Sequence, residues 1–316
     1  MDSLSHLIHM LSPRGTVDLL CRFAGAWSVE HEPMPPGHVP FHVILRGQAT
    51  VRASDQTLAL RVGDVLVFPH GAGHALRGVE DGEAESPPSQ VMETRHFNGA
   101  VTELVRPGTG AAFDMLCGTF VLGDSGSSLM RSLPEVVRVN TAERPALMAL
   151  IEMMRTESVE PGPGSAAVVS ELATALFTLV LRSLMSEKAW RSGVLALMAD
   201  ARLARAVEAV LHDPAQPWTL ATMAERALLS RATFARQFAE TSGLTPMAWV
   251  TNVRMELAAQ WLAREKLTAA QVAERCGYAS EAAFGRAFRD HLGETPGAYR
   301  RRMRGMRDAA MAGHPP

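Results

Sequence analysis

The sequence predicts an α+β protein of two domains, on three observations. Short apolar and alternating runs fill roughly the first 140 residues, helical periodicity takes over after them, and one helix–turn–helix pattern occurs twice in the last third. A length of 316 residues, 47% hydrophobic and 20% charged, suits two ordinary globular cores and excludes a disordered chain, a collagen-like repeat and a disulfide-stapled miniprotein. Three cysteines (Cys21, Cys117, Cys276) make no disulfide framework, which points to a reducing cytoplasm. The N-terminus has no basic n-region, so it does not read as a signal peptide. The most apolar stretch, 166–181, carries Glu171 and is shorter than a bilayer span. It reads as a buried or dimer-forming helix, with no membrane partner.

Residues 1–140 form the first domain. FHVILRG (41–47), ATVRAS (49–54), TLALRVG (57–63) and DVLVFP (64–69) are strands separated by Gly, Pro and Asp, the texture of an antiparallel sandwich or barrel. EDGEAESPPSQ (80–90) is acidic, proline-bearing and aperiodic, hence a loop, and 105–122 returns to strand. Residues 141–200 read as a helical linker and dimerisation region. Its first helix is capped by Thr141, PGPG (161–164) breaks it, and the second helix is apolar on more than one face. Residues 201–304 form an all-α domain, and 305–316 a flexible tail.

The repeat has a spacing of 49 to 50 residues. Ala-Glu-Arg occurs at 224–226 and 273–275; Phe234, Arg236 and Phe238 return as Phe284, Arg286 and Phe288; Gly243, Thr245 and Pro246 return as Gly293, Thr295 and Pro296. Ser230 and Ser280 cap the second helix of each copy, whose phenylalanines at i and i+4 turn inward and leave Arg231, Arg236, Arg286 and Arg289 outward. Residues 1–200 hold 15 Lys+Arg against 22 Asp+Glu, residues 201–316 hold 16 against 11, so the cationic half is the repeated one. Core aromatics on one side and arginines on the other suit insertion into the major groove of double-stranded DNA, and the helix from Pro246 to about Glu265 would set the separation of the two readers.

Residues 201–304, and AERCGYASEAAFGRAFRDHLGETPGAYR (273–300) above all, resemble the DNA-binding domain of the AraC/XylS transcription regulators. The resemblance implies a sequence-specific regulator with no enzymatic activity, an activator working with RNA polymerase as a homodimer. By position it assigns Arg231, Ala232, Thr233, Ala235, Arg236 and Gln237 to the first recognition helix. The second receives Glu281, Ala282, Ala283, Gly285, Arg286 and Arg289. Alanines at four of these places favour thymine-methyl contact and phosphate positioning; Arg236 is the best candidate for a guanine.

GDVLVFPHGAGH (63–74) resembles the second cupin motif, which implies that the first domain is a cupin-like β-barrel, a double-stranded β-helix. The first motif is degraded. His42 stands for one histidine, Pro40 replaces the other, and Arg46 occupies the region of the usual Glu, which counts against a cupin metalloenzyme with a helical appendage. His42 and His74 on facing strands, joined by Cys21 with or without His31, would make a sulfur–nitrogen site for Zn²⁺ or another transition metal. The alternative is that these histidines are hydrogen-bonded rim residues and Cys21 a small apolar one. The N-terminal segment, WSVEH (27–31) and LCGTF (116–120) are similar to the reactive-chlorine-responsive members of the same family. That likeness implies oxidant sensing through Cys21 and Cys117; a small organic effector in the barrel is the competing signal.

Overall fold

The computed structural model describes residues 2–78, 93–122, 130, 133–186, 192–264 and 267–312. The expected acidic loop at 80–90 lies outside them. The chain divides into two compact units, one running from Pro13 through the strands and the helices that end at 186, the other holding the first twelve residues and the chain from 192 onward.

The first unit contains β1 (Arg14–Ala24), β2 (Ser28–His31), β3 (His38–Arg46), β4 (Gln48–Ala53), β5 (Gln56–Arg61), β6 (Asp64–Val67), β7 (His74–Gly78), β8 (Thr94–Phe97), β9 (Thr102–Arg106), β10 (Ala112–Val121) and β11 (Val137–Asn140). They build a seven-stranded sheet in the order β11-β6-β3-β10-β1-β9-β8 and a four-stranded sheet in the order β2-β7-β4-β5. Period-two burial lays Ala49, Val51 and Ala53 of β4 inward, where they meet Cys21, Phe23, Ile44, Leu66, Leu76, Phe113 and Met115. The space between the sheets is therefore filled by side chains. Gly63 makes the tight entry to β6 at φ +84°, where any side chain would also collide with the Thr141 hydroxyl.

Two helices complete this unit, α2 (Pro145–Val159) and α3 (Ser165–Ser186). α3 lies on β1: the Gly15 amide donates to Thr174 Oγ1 at 3.0 Å, Ser170 Oγ donates to the Gly15 carbonyl at 2.8 Å, and Phe177 meets Phe120 edge-on at 5.1 Å. By length and composition α3 could cross a membrane, yet 44% of its most apolar window is buried in the protein. Two expectations are corrected here. Thr141 does not cap α2; its amide bonds the Gly63 carbonyl, and the helix starts at Pro145, whose fixed φ suits the first helical position. The stretch 141–200 is also divided, with α2 and α3 belonging to the sheet unit and the chain from 192 to the other.

The second unit contains α1 (Ser3–Leu11), α4 (Val194–Ala199), α5 (Leu203–His212), α6 (Leu220–Arg226), α7 (Arg231–Ser242), α8 (Pro246–Arg264), α9 (Ala269–Arg275), α10 (Glu281–Leu292) and α11 (Pro296–Ala312). Ser230 Oγ accepts from the Thr233 amide and Ser280 Oγ from the Ala283 amide, both at 3.2 Å. Gly243 and Gly293 end α7 and α10 in the left-handed conformation, so the duplicated sequence gives duplicated helix boundaries. Phe234 and Phe238, and Phe284 and Phe288, are fully buried. α11 continues as helix through Ala312, where a flexible tail is expected from 305, because no Gly–Pro break follows Tyr299. α1 is an addition the sequence pattern did not place in this unit. Its Leu7, Met10 and Leu11 are buried, the Gln260 side-chain amide donates to the Met10 carbonyl, and His6 meets His212 at 5.8 Å.

Candidate functional site

Each recognition helix, α7 and α10, carries its polar face outward because its phenylalanines are committed to the core. Arg231, Ala232, Arg236, Glu281, Ala282, Arg286 and Arg289 are exposed, and Thr233, Ala235, Gln237, Ala283 and Gly285 are half-buried. Two of these are less free than the sequence suggests. Thr233 Oγ1 is 2.9 Å from the capping Ser230 hydroxyl, and Gln237 Oε1 is buried without a hydrogen-bond partner. Arg236 lies 3.9 Å from Glu240 one turn on, both two-thirds exposed, a surface pair that a phosphate or a base can outcompete. The two copies differ where they would enter a groove: the place of Arg231 is taken in α10 by Glu281.

The second cluster sits inside the sheet unit. β3, β10 and β1 are neighbours, with Cys117 directly opposite His42 and two rungs from Cys21; β2 pairs β7 so that His31 faces His74. The ligand nitrogens of His31, His42 and His74 lie within 4.8 Å of one another. His42 Nε2 is 2.7 Å from His74 Nε2, His42 Nδ1 is 3.1 Å from Cys117 Sγ, and Cys117 Sγ is 3.8 Å from Cys21 Sγ. Cys21 therefore adjoins the histidines through Cys117 and stands outside the three-histidine group. His31 stacks on His74 at 4.7 Å and Phe68 on its other neighbour side at 3.6 Å.

Burial holds these imidazoles neutral. Desolvation pushes His42 well below its ordinary value, with the nearby His31 and His74 adding to it, and His74 is pushed down to about 4, chiefly by burial. With both neutral, the proton positions follow. His74 Nδ1 lies 2.9 Å from the Ala72 carbonyl and must donate to it, so His74 Nε2 accepts from His42 Nε2, and His42 Nδ1 accepts the Cys117 S–H. The hydrogen bond with Cys21, followed by burial, raises the Cys117 thiol well above the usual range, so it rests protonated. Cys276, apart from this cluster, donates to the Arg254 carbonyl and is pushed up to about 12 by burial.

Stability then depends on pH. The folded histidines bind protons less readily than the unfolded chain, so their contribution is complete above the ordinary pKa of 6.5 and is lost as pH falls toward about 4. Urea melts are expected to be level between pH 7.5 and 6.5 and then to lose up to about 1.4 kcal/mol per pH unit for His74 as pH falls to 5. His74→Gln should flatten that slope.

Both parts of the chain match known families. The Cupin family matches residues 2–186, and the Helix-turn-helix domain family matches residues 223–302. The RCS-specific HTH-type transcriptional activator RclR of Escherichia coli is 30% identical over 309 residues, 96% of this chain and 99% of that protein. The HTH-type transcriptional regulator MtrA of Neisseria gonorrhoeae is 32% identical over 307 residues, 95% of this chain and 98% of that protein.

Proposed function

The chain belongs to the AraC-type transcription regulators with an N-terminal cupin domain, and from that membership we propose that it is an oxidant-responsive activator. The cysteine–histidine chain carries this reading: two adjacent thiols, the second bonded to a histidine, inside the sheet unit and outside the helix-turn-helix match. A relative of 30% identity carries the name of an RCS-specific transcriptional activator, which supports the same signal. The filled interior between the sheets argues against an organic effector.

His31, His42 and His74 are the metal ligands in this reading, with Zn²⁺ or another borderline cation as the occupant. The fit rests on His31 Nε2, a buried ring nitrogen without a hydrogen-bond partner, beside two neutral imidazoles. A bound cation would supply fixed positive charge next to Cys117. The protein works in the cytoplasm as a homodimer, and α3 offers the surface: Val168, Leu172, Ala175 and Leu179 repeat at alternating steps of four and three along its exposed or half-buried side. RNA polymerase is its partner at the promoter.

On DNA, α7 and α10 enter successive major-groove segments through Arg231, Ala232, Thr233, Ala235, Arg236 and Gln237 and through Glu281, Ala282, Ala283, Gly285, Arg286 and Arg289. Arg236→Ala is expected to cost about 1–3 kcal/mol in operator affinity and to relax discrimination at one base pair. Competition binding with operators substituted one position at a time checks it. Equal affinity losses on every sequence would make Arg236 a phosphate contact instead.

A further inference from the structure

We propose that Arg254 and Gly277 clamp the two helix-turn-helix copies at one separation, and that the clamp fixes the spacing of the DNA segments they read. The proposal rests on the reading of α7 and α10 as DNA readers and adds the residues that hold one against the other.

The duplication supplies its own control. Leu228 and Gly277 occupy the same place in the turn of each copy, where their amides bond the carbonyls of Glu225 and Glu274. Both have left-handed backbone, at φ +55° and +72°. Leu228 shows that this turn accepts a side chain, and it stands exposed. Gly277 carries a further constraint. A Cβ there would collide with the carbonyl oxygen of Ala215, which precedes α6 in the first copy. The turn alone does not demand the glycine; the close approach of the other copy does.

Arg254, halfway along α8, fastens this contact on both sides. Its Nε and Nη2 donate to the carbonyl oxygens of Pro214 and Gln216, which flank Ala215, each at 2.8 Å. Its guanidinium lies 5.9 Å from the Tyr278 ring centre, and its own carbonyl accepts the Cys276 thiol at 3.3 Å. Cys276 and Tyr278 flank Gly277 in the second copy. α8 alone would join the copies through one helix with a hinge at each end. A second attachment beside the helix removes that freedom. The planar fork of arginine reaches two carbonyls at once, which a lysine ammonium does not.

A fixed separation lowers the ordering cost of placing the second reader once the first is bound. The gain holds only on DNA whose two segments match it. Each base pair inserted between them turns the second segment by about 35° and moves it by about 3.4 Å.

The test uses full-length protein and a duplex that the wild type selects from a random-sequence pool. Further duplexes carry one or two extra base pairs between the segments that α7 and α10 protect. The wild type is expected to lose about tenfold or more in affinity on each lengthened duplex. Arg254→Ala should bind the selected duplex several-fold more weakly and show nearly the same affinity at every spacing. Arg254→Lys should behave alike, because charge without the fork does not close the clamp. Gly277→Ala, which opens the contact from the other copy, should also flatten the spacing preference, with circular dichroism showing that the helices persist. A full spacing penalty in Arg254→Lys overturns the clamp and leaves α8 as the spacer. An affinity loss in Arg254→Ala that is equal at every spacing relative to the wild type, and that lysine restores, makes Arg254 a phosphate contact and also overturns it. Wild-type protein indifferent to spacing overturns the clamp while DNA reading stands. Selection of no duplex from the pool overturns the DNA reading itself.

Discussion

Phe288→Ala is expected to cost about 3–5 kcal/mol and to abolish operator binding at physiological temperature. Its ring lies fully buried among Met255, Leu262, Val272, Cys276, Phe284 and Tyr299, the shared core of α8, α9, α10 and α11. α9 and α10 are short, 7 and 12 residues, so packing and not propensity holds α10 on its neighbours. A loss of this size is a large fraction of a domain's stability of about 5–15 kcal/mol. Chemical denaturation monitored by circular dichroism checks it. Because the core is duplicated, Phe238→Ala should give a comparable loss in the first copy, while the sheet unit keeps its own transition.

Gly118→Ala is the second large effect and falls in the other unit. Gly118 follows Cys117 in the middle of β10, where an added methyl would collide with the Thr16 carbonyl oxygen and with the Phe41 ring. The carbonyl belongs to β1 and the ring to β3, both bonded to β10, so neither can withdraw without breaking a ladder. Overpacking of this kind is expected to cost about 3 kcal/mol. It should also change the separation of Cys21 and Cys117, because the strands carrying them are the ones pushed apart. A thermal shift of the sheet unit together with a changed rate of thiol oxidation is the expected pair of results.

The repeated unit was readable because local signals agreed with one another. Ser230, Ser280, Gly243 and Gly293 mark helix ends, and Phe234, Phe238, Phe284 and Phe288 mark the inward face, so sequence spacing alone separates core from outward-facing residues. The strands from Val39 to Val67 were readable for the same reason. Residue pairing across the sheet was not. Cys117 lies 75 positions from His42 and 96 from Cys21, and only the β1–β10–β3 order brings the three together. Sequence proximity favoured Cys21 as the companion of the histidines; strand order gives that place to Cys117. α1 was missed on similar grounds, since Leu7, Met10 and Leu11 show an apolar face without showing that Gln260 and α5 receive it.

Joining a thiol sensor to a DNA reader is the central claim. The most direct test is a nuclease footprint of the full-length protein on a promoter fragment selected for binding it, reduced and after one equivalent of hypochlorous acid. The expected result is a footprint whose extent or strength changes on oxidation, returns with a thiol reductant, and does not change in Cys21→Ser. An identical footprint in both states, with Cys21 and Cys117 shown to be oxidised, would contradict it.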